Sequence, residues 1–288
     1  MTTISLSSLN KVTASTSPRV LVYGPEGIGK TTLSSEFPNP VFIQIEDGTP
    51  GDIELTSFGK IATYSGVIEA LFALASEDHE YKTVVIDSIT AMQDLVYAET
   101  CRRGDDEGKT YARLEDMPFG KGYIYAMAVW SELLSALREL RDERGMGYVL
   151  IAHSIVAPFK DPETSAYDQY QIAIHASNKP KSDHRGLIQR EMDAIILMKK
   201  NVVVRGDDKA GIAAKKEAST VRTRATGGEA TIMHTVGKPA FTAKNRYGMP
   251  AQIRFDKGKG YEALAQYFPQ AGKLSVNEDH ETPSEEAA

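Results

Sequence analysis

The sequence predicts an α/β fold, a mostly parallel sheet flanked by helices that ends in a C-terminal β-hairpin region. Three observations carry that expectation. Apolar runs of strand length, such as "VLVY" and "TVVID", recur between stretches of helical period. The first of these runs leads directly into a Gly-rich turn and a helix start, "GPEGIGKTTL". Beyond residue 199 the helical period gives way to closely spaced β-like runs.

Taken in order, Arg19 to Tyr23 is expected as a buried strand, with a helix opening near Lys30 that Pro38 and Pro40 bring to an end. "VFIQIEDG" supplies the next strand. In "GVIEALFALAS" the spacing places Ile68, Leu71, Phe72 and Ala75 on one helical face. "YKTVVIDS" reads as a strand covered on both faces, followed by a helix through "ITAMQDLVYAET". The polar, Gly-punctuated "RRGDDEGKTYARLEDMPFGKG" is expected as a loop. A long amphipathic helix then presents Tyr123, Met127, Trp130, Leu134, Leu137 and Leu140 on one side, and "GYVLIAHS" is a further core strand. Residues 155–190 are polar without a clear period and read as a long loop, which in a compact domain is functional or disordered. "DAIILMKK" returns to the sheet. "NVVVRG", "STVRTRATG", "ATIMHTVG" and "IRFDKG" follow as strands, and "YEALAQYF" closes as a helix. No internal repeat is apparent.

Bulk properties set the frame. The 288 residues, 41% apolar and 25% charged, suit one domain with loose ends: a flexible segment over 1–17, a domain over 18–268 and a disordered acidic tail over 269–288. No apolar stretch is long enough to span a bilayer, and residues 1–17 lack the apolar region of a signal peptide. The single Cys101 excludes an internal disulfide and a Cys-type zinc site. A cytoplasmic location, the host cytoplasm for a phage-encoded chain, is the default. The net charge of −6 conceals an asymmetry: residues 199–259 hold 14 Lys or Arg against 5 Asp or Glu, which leaves −15 on the remainder. Such a basic quarter can meet a polyanion, or can simply be a solvated hairpin surface.

The sharpest motif is Gly24-Pro25-Glu26-Gly27-Ile28-Gly29-Lys30-Thr31, followed by Thr32, which satisfies G-x-x-x-x-G-K-[ST]. Glycines let the backbone curl so that successive N–H groups face a phosphate, and the helix that begins there adds its positive end. The reading is ATP with Mg²⁺: Lys30 meets the β/γ oxygens, and the Thr31 hydroxyl is a metal ligand. Asp87, ending the apolar "TVVID", supplies the second metal anchor in Walker-B fashion. Residue 88 is Ser, so the Glu that often follows this Asp is missing and a base must come from elsewhere. Glu46, at the carboxyl end of "VFIQIEDG", can orient a water for in-line attack, with Asp47 as the understudy; the bland alternative is a turn acid or helix cap.

These residues together resemble the RecA/RadA superfamily. Glu46 in "FIQIEDG" is similar to that family's catalytic Glu, and "VVIDSITAM" to its second nucleotide motif, Ser included. "VLIAHS" resembles the next core strand, which in the family ends in a polar γ-phosphate sensor, commonly Gln or Asn. His153 stands there instead, either as a sensor or as a core-edge histidine. Lys244-Asn245-Arg246-Tyr247-Gly248 resembles the Lys-Asn-Arg-Phe-Gly motif of bacterial RadA. The resemblance implies that Lys244 and Arg246 act on the nucleotide of an adjacent copy; otherwise they are exposed cations at a turn. It also implies a RecA-like P-loop NTPase core over roughly 18–268, a homo-oligomer (ring or filament) and single-stranded DNA as partner. The chain lacks a RecA-type N-terminal oligomerisation helix, the zinc-binding Cys cluster of RadA and a protease-like extension. That minimal build resembles phage-encoded RecA-like ATPases, including Sak-type single-strand annealing proteins.

In that family DNA is met by two loops, here about 102–120 and 155–190. The first carries Arg102, Arg103, Lys109, Tyr111, Arg113 and Lys121, and the second Lys160, Lys179, Lys181, His184, Arg185 and Arg190 with Phe159, Tyr167 and Tyr170. Cations can track phosphates while aromatics stack bases. Both loops also contain acids, so solvated or protein-binding loops are the other reading. Arg205, Lys215, Lys216, Arg222 and Arg224 form a third candidate surface.

Overall fold

A computed structural model describes residues 17–206 and 223–269. The N-terminal segment over 1–16, the tail over 270–288, and Lys215, Lys216 and Arg222 of the third basic surface lie outside the described residues.

The central strands are β1 (Arg19–Gly24), β2 (Pro40–Gln44), β3 (Ser57–Lys60), β4 (Thr83–Asp87), β5 (Gly147–Phe159) and β7 (Ala194–Gly206). They lie side by side and parallel in the order β7-β1-β5-β4-β2-β3. β8 (Thr223–His234) and β10 (Gln252–Phe255) extend the β7 side as antiparallel strands, the expected hairpin region. The short β9 (Lys244–Asn245) pairs antiparallel with the start of β7.

Side chains alternate across each strand, so a strand covered on both faces must be apolar throughout. Val20 and Val22 face one cluster with Leu33, Phe37, Leu264 and Phe268, supplied by α1 (Lys30–Ser35), α6 (Gly260–Ala265) and the residues beside them. Leu21 and Tyr23 face the larger cluster, built from α2 (Tyr64–Ser76), α3 (Ile89–Arg103) and α4 (Lys121–Arg144). Trp130, Leu133, Leu134 and Leu137 of α4 are fully buried there. Among the described residues no helix is long and apolar enough to cross a membrane.

Two expectations need correction. The buried face of α2 is Tyr64, Val67, Ala70, Leu71 and Leu74, while Phe72 is 70% exposed. "ALFALA" is apolar all round, so its period does not set the phase; the helix start does, where Thr63 caps through its side chain to the Gly66 N–H. Residues 155–190 are also not a loop. β5 runs on past the sheet to Phe159 and forms an antiparallel arm with β6 (Tyr167–Ile172), and α5 (His184–Glu191) follows, capped by Asp183. The α3–α4 connection is irregular as expected, tied by Asp105, which accepts from the Tyr111 hydroxyl at 2.6 Å and from the amides of Glu107 and Lys109.

Candidate nucleotide site

The site gathers at the carboxyl ends of β1, β4, β2 and β5, where parallel register brings four distant segments level. Gln44 of β2 sits opposite Asp87 of β4, and Gly24 of β1 opposite His153 of β5.

Between β1 and α1 the Gly-rich loop turns through left-handed backbone at Gly27 (φ 67°) and Gly29 (φ 103°). Gly29 is doubly constrained, because an added Cβ would lie 2.9 Å from the Phe255 ring of β10. Pro25 and Glu26 form the exposed rim, Ile28 is buried beneath, and Thr32 follows Thr31 in the first turn of α1. Lys30 is only 7% exposed, and its ammonium donates to the carbonyls of Gly24 (3.1 Å) and Pro25 (2.8 Å). Burial pushes that amine below its ordinary value, against the charges of Asp87, Glu46 and Glu26. A buried cation without a carboxylate bound to it is suited to a polyanionic ligand.

Thr31 donates its hydroxyl hydrogen bond to Asp87 Oδ2 at 2.8 Å. Burial pushes the Asp87 carboxyl up, and the neighbouring Glu46 adds to this, while the Thr31 bond and the Lys30 charge oppose it. Two adjacent hard oxygens fit Mg²⁺, which takes few protein ligands and completes its shell with water and phosphate. Among the described residues no group of three or more His, Cys, Asp or Glu able to hold a metal occurs.

Glu46 stands beyond the end of β2 with its amide directed at the Asp87 carbonyl (3.4 Å). Its Oε1 accepts from the Ser88 hydroxyl and its Oε2 meets His153 Nε2 at 3.1 Å. Burial alone would raise this carboxyl, yet the donors Ser88 and His153, with the charge of Lys30, hold it below its ordinary value. Asp87 and Glu46 are thus driven in opposite directions by one shared setting, the pattern by which neighbouring carboxylates take different roles. The Glu46 side chain remains 36% exposed, so water reaches it. Asp47 points away and pairs with Lys60 at 2.5 Å on the surface.

Ser88 joins this cluster although the sequence offered no role for it. It is fully buried after a cis Asp87–Ser88 peptide, caps α3 through the Ala91 N–H, and gives its one proton to Glu46. The signals were its place after the Walker-B Asp and its match within the motif "VVIDSITAM".

Lys244 and Arg246 are not brought to this cluster. They sit at the opposite end of the sheet, beside Asp193, which immediately precedes β7 and hydrogen-bonds Arg19 at the start of β1. The six-residue β1 separates the two ends by roughly 17 Å. Lys244 Nζ donates to the carbonyls of Gln189 (2.9 Å) and Arg190 (3.1 Å) at the end of α5. Arg246 Nη1 pairs with Asp193 at 3.0 Å but keeps half of its side chain exposed. Asn245 fixes the turn between them and β10, accepting from the amides of Tyr247 and Met249 and donating to the Met249 carbonyl.

The proposed DNA loops are mixed. Arg102 and Arg103 pair with Glu99, Arg103 also with Glu132, and Arg113 with Asp116. His184 is fully buried and cannot meet a ligand, whereas Lys160, Lys179, Lys181 and Arg190 are exposed. Phe159 and Tyr167 lie 5.6 Å apart near the end of the arm.

No curated protein matches the chain. Among solved structures, the crystal structure of the RadB recombinase aligns over 84% of this chain and 88% of that one, at 13% identity and a TM-score of 0.44. The AAA domain family matches residues 16–247, a span that contains the Gly-rich loop, Glu46, Asp87 and His153 together with every strand from β1 to β9. This chain belongs to that family of P-loop ATPase domains.

Proposed function

We propose that this protein binds and hydrolyses ATP at interfaces between its own copies and acts on single-stranded DNA in recombination or annealing, as a phage-type RecA-like protein would. One observation carries the reading: the phosphate loop and the Lys244–Arg246 segment occupy opposite ends of one parallel sheet. A chain built that way cannot complete its own site. It can complete that of a copy stacked head to tail, the arrangement that generates rings or filaments.

The residues divide the work. Lys30 and the loop amides hold the β- and γ-phosphates, and Thr31 and Asp87 would hold Mg²⁺, which supplies charge neutralisation at the phosphate oxygens. Glu46 orients a water and takes its proton as the oxygen attacks phosphorus. Arg246 from the adjoining copy meets the charge that develops on the γ-phosphoryl group, an effect worth about 10³–10⁵ in rate when well placed. Exposed Lys160, Lys179 and Lys181, with Phe159 and Tyr167, support contact with an unpaired strand through the β5–β6 arm and the segment after it.

The ion pairs that occupy Arg102, Arg103 and Arg113 favour a second reading, in which the α3–α4 connection meets a protein and nucleotide acts as a switch with slow turnover. ATPase activity titrated against protein concentration, with and without single-stranded DNA, separates the two. Turnover per chain that rises with concentration and with DNA supports the recombination reading. Turnover that is negligible, or the same with and without DNA at every concentration, overturns it in favour of the switch.

A further inference from the structure

Between the β5–β6 arm and α5 lies a cleft of about 390 Å³, at the small end of the range for ligand sites. Phe159 at the end of β5, Gln171 of β6, Asn178, Asp183, and Arg185 and Gln189 of α5 are among its walls, and no residue of the phosphate loop lines it.

Arg185 is the unusual group there. Its Nε and Nη2 donate to the Ile174 carbonyl at 3.1 and 2.8 Å, and its Nη1 donates to Gln171 Oε1. Two of its five N–H groups remain free, and both acceptors are neutral. Hydrogen-bonded carboxylates hold Arg19 and Arg103 above their ordinary value. Burial instead pushes Arg185 below it, against the nearby charge of Asp183. That carboxylate is engaged elsewhere, its Oδ1 accepting the Gly186 N–H as the cap of α5. A half-buried guanidinium with donors to spare and no carboxylate bonded to it is completed by an anion from outside.

The amides indicate what that anion carries. The Gln171 carboxamide is occupied, its oxygen by Arg185 and its nitrogen by Gln169 Oε1 at 3.3 Å. Among the described residues the half-buried Gln189 makes no side-chain hydrogen bond. A free carboxamide presents a donor and an acceptor side by side, the pattern that pairs bidentately with N6 and N7 of adenine. Phe159, 38% exposed, brings to the same cleft a ring on which a base can stack.

We propose that this cleft takes one adenine nucleotide, with its phosphate on Arg185, its base edge on Gln189 and its ring against Phe159. The proposal rests on the reading that the protein meets an unpaired strand, and it adds a preference to that contact. The exposed Lys160, Lys179 and Lys181 hold any strand through its phosphates, while the cleft accepts one base turned out of the stack and selects it. A free adenosine monophosphate carries the same chemistry, so the test separates the two sources.

Binding is measured by fluorescence anisotropy at fixed salt, with a non-hydrolysable ATP analogue saturating the phosphate loop. Two labelled oligomers of equal length are compared, one of thymidine alone and one of thymidine interrupted by adenine. Wild type is expected to bind the adenine-bearing strand about tenfold more tightly, the worth of one bidentate base contact. Gln189→Leu, which removes no bond from the fold, should bind both strands as wild type binds thymidine. Arg185→Gln should weaken the adenine-bearing strand and lower the slope of log affinity against log salt by about one. Equal wild-type affinities, or a Gln189→Leu protein of wild-type thermal stability that keeps the preference, overturn the proposal and leave strand binding standing. If neither strand binds, the strand-binding reading itself fails, and calorimetry with dAMP under the same conditions decides the cleft. Binding of dAMP that Gln189→Leu abolishes assigns the cleft to the free nucleotide; no binding overturns it.

Discussion

Asp193→Asn probes the far end of the sheet, where a buried carboxylate joins two arginines. Asp193 is 6% exposed, and its carboxylate accepts from Arg19 Nε (2.9 Å), Arg19 Nη2 (2.6 Å), Arg246 Nη1 (3.0 Å) and the Tyr247 hydroxyl (3.0 Å). Arg246 is half exposed and contributes little to stability. Arg19 is only 17% exposed, so loss of its partner leaves a nearly buried cation with Glu191 alone. Breaking such a pair costs about 3–5 kcal/mol. In a domain of this size that lowers Tm by roughly 6–20 °C. The variant should unfold at lower urea with an unchanged slope. The pH dependence gives a second handle. Burial would raise the Asp193 carboxyl, but the Arg19 hydrogen bonds and charge outweigh it and hold it at about 2, below the ordinary 3.8. A depressed carboxyl stabilises the fold above its unfolded value, so this contribution is complete above about pH 4 and fades as pH falls toward 2. Wild type should therefore lose stability more steeply than Asp193→Asn over that window. A loss under about 1 kcal/mol, or parallel acid profiles, would refute the reasoning.

Three further outcomes follow from the same geometry. Gly29→Ala forces a Cβ onto a φ of 103° and toward the Phe255 ring, so nucleotide affinity by calorimetry should fall by at least about tenfold, with a loss of stability. Glu46→Gln should keep ATP binding while hydrolysis drops on the order of 10²–10⁴, read in a single-turnover assay. Within α2, Leu71→Ala should cost about 2–5 kcal/mol in urea unfolding, whereas Phe72→Ser should stay within about 0.5 kcal/mol, because Leu71 is 2% and Phe72 70% exposed.

The parts of this molecule that could be read from the chain are those set by local chemistry. An apolar strand, glycines at fixed spacing and Lys-Thr identify the phosphate loop without any distant contact, and Asp87 is marked by the apolar run before it. What escaped depends on register and burial. The Ser88–Glu46 bond joins residues 42 apart and exists because β2 and β4 align Gln44 with Asp87. The β5–β6 arm is wetted on both sides over much of its length, so its strands show no alternation of apolar and polar residues. The place of Lys244 and Arg246 comes from the pairing of Lys244 with Ile195, which carries the motif to the amino ends of the parallel strands. Their type and spacing were visible, but not the end of the sheet they occupy.

The most direct measurement of shared catalysis mixes two inactive proteins, Lys30→Ala and Arg246→Ala, and follows ATP hydrolysis as the ratio is varied. Only sites built from the phosphate loop of the Arg246→Ala protein and the cation of the Lys30→Ala protein are intact, so random head-to-tail mixing should restore turnover to about a quarter of wild type at equal amounts. If mixed assemblies form and no ratio restores hydrolysis, the two ends of the sheet do not meet at one nucleotide.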